Sequence, residues 1–153
     1  MTTADTTPAG RSGPFWDGVH GRVPVPPAAA TLGFDYVDSD PAAGTVELAF
    51  TATTDFTTPT GQVLGGFLAA MLYDTVGPAL LSTLEPDQFQ STLGLTATFL
   101  RPVRPGRIGA KGRIVHRAGD LAHLEAELTD AEGRLVATAT AIARVIPLGS
   151  PGP

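Results

Sequence analysis

The sequence predicts an α+β fold in which an antiparallel sheet wraps around one long central helix. The first observation is a segment from Thr57 to Leu84 that is largely apolar and holds a single formal charge, Asp74. A helix that is apolar all round belongs inside a protein, and this one is too short to cross a bilayer, which takes about 20 residues. The second observation is a period-two alternation before and after this segment, which is typical of half-buried strands. A curved sheet is the layer that buries such a helix.

Chain length and composition favour one domain. A chain of 153 residues at 42% hydrophobic composition can bury one core. The opening stretch is polar and threonine-rich, so we expect a disordered arm over residues 1–13. The domain is expected over residues 14–147, followed by a C-terminal tail over residues 148–153.

Residues 14–27, here called the strap, combine Phe15 and Trp16 with four prolines. This mixture predicts an irregular segment that packs its aromatic side chains on the domain. His20 is expected in a surface loop of the strap. A helical turn is predicted next, from Ala28 to Leu32.

Two strands are predicted before the central helix, GFDYVDSD and GTVELAFTAT, and four after it, beginning at STLGLTATFL and ending at RLVATATAIARVI. Neither face of the last strand is strongly polar, so burial on both sides predicts a subunit interface as well as a core. Small residues share one of these faces and are expected to lie close against the helix or another sheet: Leu135, Ala137, Ala139, Ala141 and Ala143.

Charge and composition exclude several classes of function. The net charge of -5 disfavours nucleic acids and anionic membranes as partners. The absence of cysteine excludes disulfides, thiolate metal sites and a cysteine nucleophile. The first residues contain no apolar leader, so we expect a cytoplasmic protein.

The pair Gly65 and Gly66 is predicted to open the central helix, where backbone N–H groups are unpaired and the helix dipole is positive. Glycines let a ligand approach these amides closely. One interpretation is therefore a site that polarises a carbonyl or binds an anion. The alternative is that the two glycines only allow tight packing of the helix on a sheet.

Four features define the order of the chain. The central helix is preceded by two strands and followed by four, and the GG pair lies at its start. The run FLRPVRPG and the ending DAEGRLVATATA come later in the sequence. In this order and spacing they resemble the PaaI-type branch of the hotdog-fold acyl-CoA thioesterases, from Phe15 to Ile146. The resemblance implies a hotdog fold and a homodimer, often paired into tetramers, with sites between subunits. It also implies that no metal or bound cofactor is needed and that coenzyme A enters as part of the substrate.

The resemblance further implies that the amide of Gly66, or of its neighbour Gly65, polarises a thioester carbonyl, and that a carboxylate two turns along the helix acts as base or nucleophile. The polar residues of this chain depart from that pattern. Leu64 stands where the family has His or Gln, and Thr58 stands where a loop amide is expected. Tyr73 occupies the position of the acid.

Asp74 directly follows the position of the missing acid. One residue turns a helical side chain by about 100°, so Asp74 is expected to replace the acid only with a register shift or a bulge. Its alternative role is to cap or pair within the dimer interface. Tyr73 is either a hydrogen-bond donor to an oxyanion, since a phenol stays protonated at neutral pH, or an aromatic filler of the pocket.

The substrate-binding candidates are apolar and basic. Leu64, Phe67 and Met71 favour an apolar or aromatic acyl group. Six basic residues lie between Arg101 and Arg117, and these two are candidates to bind the phosphates of coenzyme A. A solvated sheet edge is the alternative for the basic residues.

His116 and His123 lie on predicted strands without a neighbouring serine nucleophile or metal-ligand spacing that would support a catalytic role. His123 shares strand parity with Glu125 and Glu127, so we expect it on an outward, solvated face. Three functions stay open at this point. The first is a thioesterase-like hydrolase with an altered acid arrangement. The second is a non-hydrolytic protein that binds an apolar ligand, and the third is a scaffold remodelled, naturally or by engineering, for different chemistry.

Overall fold

The computed structural model describes residues 10–149. The predicted disordered arm and C-terminal tail fall mostly outside this range and stay predictions. Within the described part, the Arg11 guanidinium donates a hydrogen bond to the Ser82 carbonyl over 3.1 Å. No helix of the described residues is long and apolar enough to cross a membrane.

Within residues 10–149 the predicted sheet is confirmed as one six-stranded antiparallel layer. The strands are β1 (Asp35–Asp40), β2 (Thr45–Ala52), β3 (Gln88–Phe99), β4 (Gly106–Ala118), β5 (Leu121–Thr129) and β6 (Leu135–Pro147). Their spatial order is β1-β2-β4-β5-β6-β3, which leaves β1 and β3 at the edges. Alternating burial along β5 and β6 matches the period-two pattern of the sequence.

The central helix α3 runs from Gly65 to Leu81 and packs on the sheet, as predicted. Its inward side chains are fully buried, Leu72 and Val76 among them. Gly112 of β4 lets the helix come close, because a Cβ there would lie 2.9 Å from the Thr75 carbonyl oxygen. The helix is therefore fixed against the middle of the sheet.

The strap is more regular than predicted. Residues Pro14–Val19 form a helix, α1, where we expected irregular chain. Pro14 favours this helix because its missing N–H needs no partner at the first helical position. A second helix, α2 (Pro27–Thr31), confirms the predicted turn.

Trp16 anchors the strap, which confirms the predicted packing of the strap aromatics. Its side chain is 1% exposed, and its indole N–H donates to the Ser82 carbonyl oxygen over 3.3 Å. Phe15 meets the Trp16 ring edge to face at 4.9 Å between centroids. His20 is half-buried beside the Trp16 ring, 6.0 Å between centroids, instead of standing free in a surface loop.

One face assignment in β6 is wrong. The run of small residues from Ala137 to Ala143 does line the core, but Leu135 is 38% exposed and Val136 is fully buried. The pairing with β5 shifts at this point, because Thr129 lies opposite Leu135 while the preceding residue lies opposite Ala137. This β-bulge reverses the side of the sheet on which Leu135 lies.

We expect Trp16→Ala to lower the free energy of unfolding by about 3 kcal/mol, as aromatic-to-alanine changes in cores do. The measurement is urea unfolding followed by far-UV circular dichroism, since the variant loses the one tryptophan of the chain. Val23→Ala, at a strap residue that is 46% exposed, is the control and should change stability by about 0.5 kcal/mol or less. Equal losses in the two variants would contradict the anchoring role of Trp16.

Candidate active site

The N-terminus of α3 presents two backbone amides without acceptors. Leu64 precedes the helix in an extended conformation and provides no side-chain cap. Its carbonyl accepts a hydrogen bond from the Phe67 amide over 2.9 Å, whereas the Gly65 and Gly66 amides donate to no group in the described part of the chain. Phe99 covers one side, since a Cβ on Gly65 would lie 3.4 Å from its ring. Only the side chain of Leu64 would come within 4 Å of a Cβ on Gly66, at 3.9 Å, so a ligand can approach the Gly66 amide.

The segment before the helix is a tight turn. The Thr58 amide donates to the Gln62 carbonyl over 2.7 Å, and the Gly61 amide donates to the Thr58 carbonyl over 2.9 Å. Gly61 has φ of 80°, a conformation that glycine adopts without strain. The Thr58 hydroxyl pairs with the Thr60 hydroxyl at 2.9 Å. The predicted site residue Thr58 therefore lies near the helix start with its side chain already engaged.

The three apolar candidates have different surroundings. Leu64 is 49% exposed. Phe67 is half-buried and stacks on Phe56 with 4.1 Å between ring centroids. Met71 is 0% exposed and belongs to the core, so in this chain it lies beneath the surface that a ligand can reach. Met71 is thus part of the core in this chain, and its expected substrate contact stays a prediction.

A pocket of about 390 Å³ lies between the strap, the C-terminal half of α3 and the start of β3. We call it the strap pocket. Its apolar lining comes mainly from the strap and from the residues just after it, whereas its polar lining comes from α3 and β3. It is lined by Pro14, Phe15, Gly18, Val19, Val25, Pro26, Ala29, Phe34, Tyr73, Asp74, Gly77, Pro78, Leu81, Phe89, Gln90, Ser91 and Thr92.

Asp74 has the most perturbed environment in the strap pocket. Its Oδ2 atom is enclosed and has no hydrogen-bond partner in the described residues. Burial raises the pKa of Asp74 from 3.8 to about 6, because a low-dielectric environment disfavours the charged form. Pro78 has no N–H, so the Asp74 carbonyl also receives no hydrogen bond from the residue four positions on. A carboxylate of this kind is suited to accept a proton near neutral pH.

Tyr73 and Asp74 line the same pocket. From the sequence we expected Asp74 to take over from position 73 only with a register shift or a bulge, because neighbouring helical side chains point about 100° apart. Asp74 reaches the strap pocket from a regular helix, since the pocket extends around this side of α3. Its replacement of the acid stays a prediction. Tyr73 is 50% exposed and projects outward beside it.

The glycine amides and Asp74 lie on one helix but far apart. Eight residues separate Gly66 from Asp74, which is roughly 12 Å along the axis at a rise of about 1.5 Å per residue. A single thioester carbonyl cannot touch both within one chain. The structure thus brings the candidates together in two groups, one at the start of α3 and one in the strap pocket.

The basic candidates are separated as well. Arg101 lies two residues after the end of β3, on the loop whose Val103 carbonyl accepts a hydrogen bond from the Val63 amide before α3. Arg117 lies near the far end of β4, where its Nε donates to the Gly119 carbonyl over 3.1 Å. Of the other basic residues in this part of the sequence, Arg113 pairs with Glu125 at 2.6 Å. Of the two candidates, Arg101 is therefore the one on the loop that contacts the segment before α3. It shares this loop with Arg104, whose Nη1 atom would lie 3.8 Å from a Cβ on Gly61.

The predicted exposure of His123 is confirmed, and His116, which is also exposed, faces it across β4 and β5. Among residues 10–149 no group of three or more His, Cys, Asp or Glu side chains could hold a metal ion.

The sequence did not reveal the contribution of the strap to a pocket. Gly18 and Val19 form part of its wall, and Gln90 and Ser91 of β3 form another part. These segments are about 70 residues apart in the chain, so no local pattern links them. The only sequence signal was the aromatic pair of the strap, which predicted contact with the domain but gave no position for it.

Comparisons with known proteins agree with this fold. A solved structure from Ralstonia eutropha, described as a candidate thioesterase related to phenylacetic acid degradation, is 39% identical, covers 85% of this chain and 98% of its own, and superposes with a TM-score of 0.82. The PaaI protein of the Escherichia coli phenylacetic acid degradation operon is 20% identical over 86% of this chain and 93% of its own, with a TM-score of 0.76. A thioesterase family protein from Silicibacter pomeroyi is 24% identical over 88% and 99%, with a TM-score of 0.77. These last two show likeness of fold.

No curated protein sequence matches the chain. The family model of the thioesterase superfamily matches residues 60–137, a range that includes the GG pair, α3 and most of the sheet. This match and the 39% identity to the Ralstonia eutropha structure confirm the resemblance and the hotdog fold read from the sequence, and the chain therefore belongs to the thioesterase superfamily.

Proposed function

We propose that the protein hydrolyses an acyl-CoA or related thioester whose acyl group is apolar or aromatic. The observation that carries the proposal is the Asp74 carboxylate in the strap pocket, whose enclosed Oδ2 atom has no hydrogen-bond partner among residues 10–149. It lies on the helix whose first two amides have no acceptor in the same range. Family membership supports thioester chemistry, and these two features supply the groups that the reaction needs. The names of the relatives from phenylacetic acid degradation favour an aromatic acid.

The Gly65 and Gly66 amides are proposed to bind the thioester carbonyl oxygen. Negative charge develops on this oxygen when a nucleophile adds, and fixed backbone donors at a helix N-terminus stabilise it. Leu64 and Phe99 beside the glycines keep this end of the site apolar. Removal of one such donor typically costs about 10²- to 10³-fold in rate.

Asp74 is proposed to act as the general base. It takes a proton from water while the water oxygen bonds to the carbonyl carbon, and the C–S bond then breaks. The proton passes to the departing thiolate, which leaves as coenzyme A, and the acyl group leaves as a carboxylic acid. Tyr73 stands at the edge of the same pocket and is proposed to donate a hydrogen bond to the substrate.

Two copies of the chain are needed for this arrangement. Reacting groups must lie within about 3.5 Å of each other, whereas Gly66 and Asp74 of one chain lie roughly 12 Å apart along the helix. We therefore infer a homodimer in which the glycine amides of one chain face the partner's Asp74. A tetramer of such dimers, as the resemblance implies, is compatible with this arrangement.

The edge strand β3 favours this assembly. It is 12 residues long, and among residues 10–149 it pairs with a strand on one side only. Leu93, Phe99 and Leu100 are each more than 50% exposed along or just after it. A long apolar edge is an aggregation hazard unless something covers it, and a second copy of β3 would cover it.

Arg101 is proposed to contact the phosphates of coenzyme A, because its loop touches the segment that leads into α3. Arg117 has no such position relative to the α3 N-terminus of its own chain.

A second function is favoured by one observation, the tyrosine at the acid position. In that alternative the protein binds an apolar ligand in the strap pocket without hydrolysing it.

We expect the protein to be a dimer or a tetramer at micromolar concentration, measured by light scattering after gel filtration. Leu93→Lys should shift it towards monomer, because the change places a charge on the exposed apolar edge strand β3. Leu93 lies where the pairing register of β3 with β6 shifts. Val37→Lys is the matched control, since Val37 lies at the corresponding irregularity of the other edge strand, β1, and it should leave the assembly unchanged. A stable monomeric parent would remove the intersubunit site.

We expect Asp74→Asn to lower kcat for thioester hydrolysis by about 10²- to 10⁴-fold, the usual contribution of a general base. Release of the free thiol from a panel of aliphatic and aromatic acyl-CoA esters measures this. Asp87→Asn, at an exposed acid outside the strap pocket, should leave the rate unchanged. An Asp74→Asn variant with full activity, together with a gain in Tyr73→Asp, would instead mean that position 73 is the place for the base.

The rate should also depend on pH. A base works in its ionised form, so with a pKa of about 6 for Asp74 we expect kcat/KM to fall as pH drops through 6 and to level off above pH 7. The Asp74→Asn variant should lose this inflection while any residual rate persists. A profile without an inflection between pH 5 and 7 in the parent would rule out Asp74 as the base.

A further inference from the structure

We propose that the strap pocket receives the acyl group of the substrate and that α1, through Gly18 and Val19, sets the longest acyl group that fits. This inference rests on the proposed function, because it takes the thioester to be the ligand. It adds a specificity-determining wall that lies outside the catalytic helix.

The lining of the pocket is divided by polarity. The strap and the residues just after it supply apolar side chains, among them Phe15, Val19 and Phe34, whereas the polar groups Asp74 and Gln90 come from α3 and β3. An acyl thioester has the same division, with a polar reacting end and an apolar tail. The carbonyl end therefore belongs beside Asp74, and the tail points towards the strap.

The strap is a fixed wall. Trp16 is buried to 1% exposure, its indole N–H reaches the Ser82 carbonyl, and Arg11 donates to the same oxygen. Phe15, next to Trp16, also packs against Tyr36 at 6.2 Å between ring centroids. A wall held at several points limits the length of a ligand sharply.

Gly18 is the residue of this wall that leaves room. It lies within α1 without positive φ, and a Cβ built on it meets no atom within 4 Å. A side chain can therefore begin at this position without a clash at its Cβ, and we expect a larger one to reduce the space for the tail. Gly77, across the pocket on α3, differs, because a Cβ there would lie 3.0 Å from the Gln90 amide nitrogen.

The test compares acyl-CoA esters from acetyl to dodecanoyl, with benzoyl-CoA added. In Gly18→Leu, we expect kcat/KM for the longest ester that the parent accepts to fall at least about tenfold relative to acetyl-CoA, the usual effect of misfit by a methylene or more. Val19→Ala removes volume from the same wall and should extend the accepted length. Ala28→Leu, at an exposed residue of α2 outside the lining, should leave the preference unchanged.

Two controls make each outcome decisive. Leucine favours helix more than glycine does, so we expect Gly18→Leu to fold, and circular dichroism checks this. If Gly18→Leu does not fold, Val19→Ala tests the same wall independently. Binding of non-hydrolysable S-alkyl-CoA thioethers, measured by calorimetry, reports on the pocket without any turnover.

The outcomes separate this inference from the proposed function. If the parent hydrolyses esters but Gly18→Leu and Val19→Ala leave the length preference unchanged, the wall assignment is overturned and the hydrolase stands. If the parent hydrolyses none but Gly18→Leu weakens the binding of long thioethers over short ones, the hydrolase falls and the acyl pocket stands. Absence of both hydrolysis and thioether binding overturns both.

Discussion

The close contact of α3 with the middle of the sheet is the constraint on which the rest of the structure depends. Gly112 makes it possible, because any Cβ at this point would press on the Thr75 carbonyl and on Ala79. Because β4 has no side chain at Gly112, α3 comes close enough for the large apolar side chains around this point to pack tightly, as in any well-packed core. With the helix held in this way, the amide of Gly66 and the carboxylate of Asp74 have fixed positions. The chemistry of the site is therefore an outcome of how the core packs.

Burial of Asp74 has a cost that the fold must offset. Its folded-state pKa is raised to about 6 from 3.8, so the folded protein holds this proton more tightly than the unfolded chain does. Between about pH 4 and 6, stability due to this group falls as pH rises, and the loss is complete above pH 6. A shift of about two pKa units corresponds to roughly 2 to 3 kcal/mol before screening by solvent reduces it. An apolar residue would avoid this loss, so the carboxylate is better explained by function than by stability.

The fold was predictable because its signals are local. The apolar run opened by Gly65 and the alternating segments on either side define the elements without knowledge of their contacts, and the helix begins at the predicted glycine. Local pattern failed at Leu135, which changes sides because of a bulge that depends on pairing with β5. That bulge has no signature in the sequence of one segment. Helix α1 is a different case, because proline at a first helical position is a local signal, but the proline content of the whole strap suggested irregular chain.

The candidate site was less predictable because it is assembled from distant parts. Tyr73 and Asp74 were identifiable from their place on α3, but the sequence could not say that both reach one pocket, since the strap and β3 complete it. The fixed spacing of the two half-sites on one rigid helix has a further consequence. If two chains pair about a twofold axis, the contacts are self-complementary, so each helix contributes its Gly66 end to one site and its Asp74 side to the other. Any shift of α3 along its axis would then move the donor in one site and the base in the other by the same amount. The alignment of both sites thus depends on the same contact between α3 and β4 at Gly112.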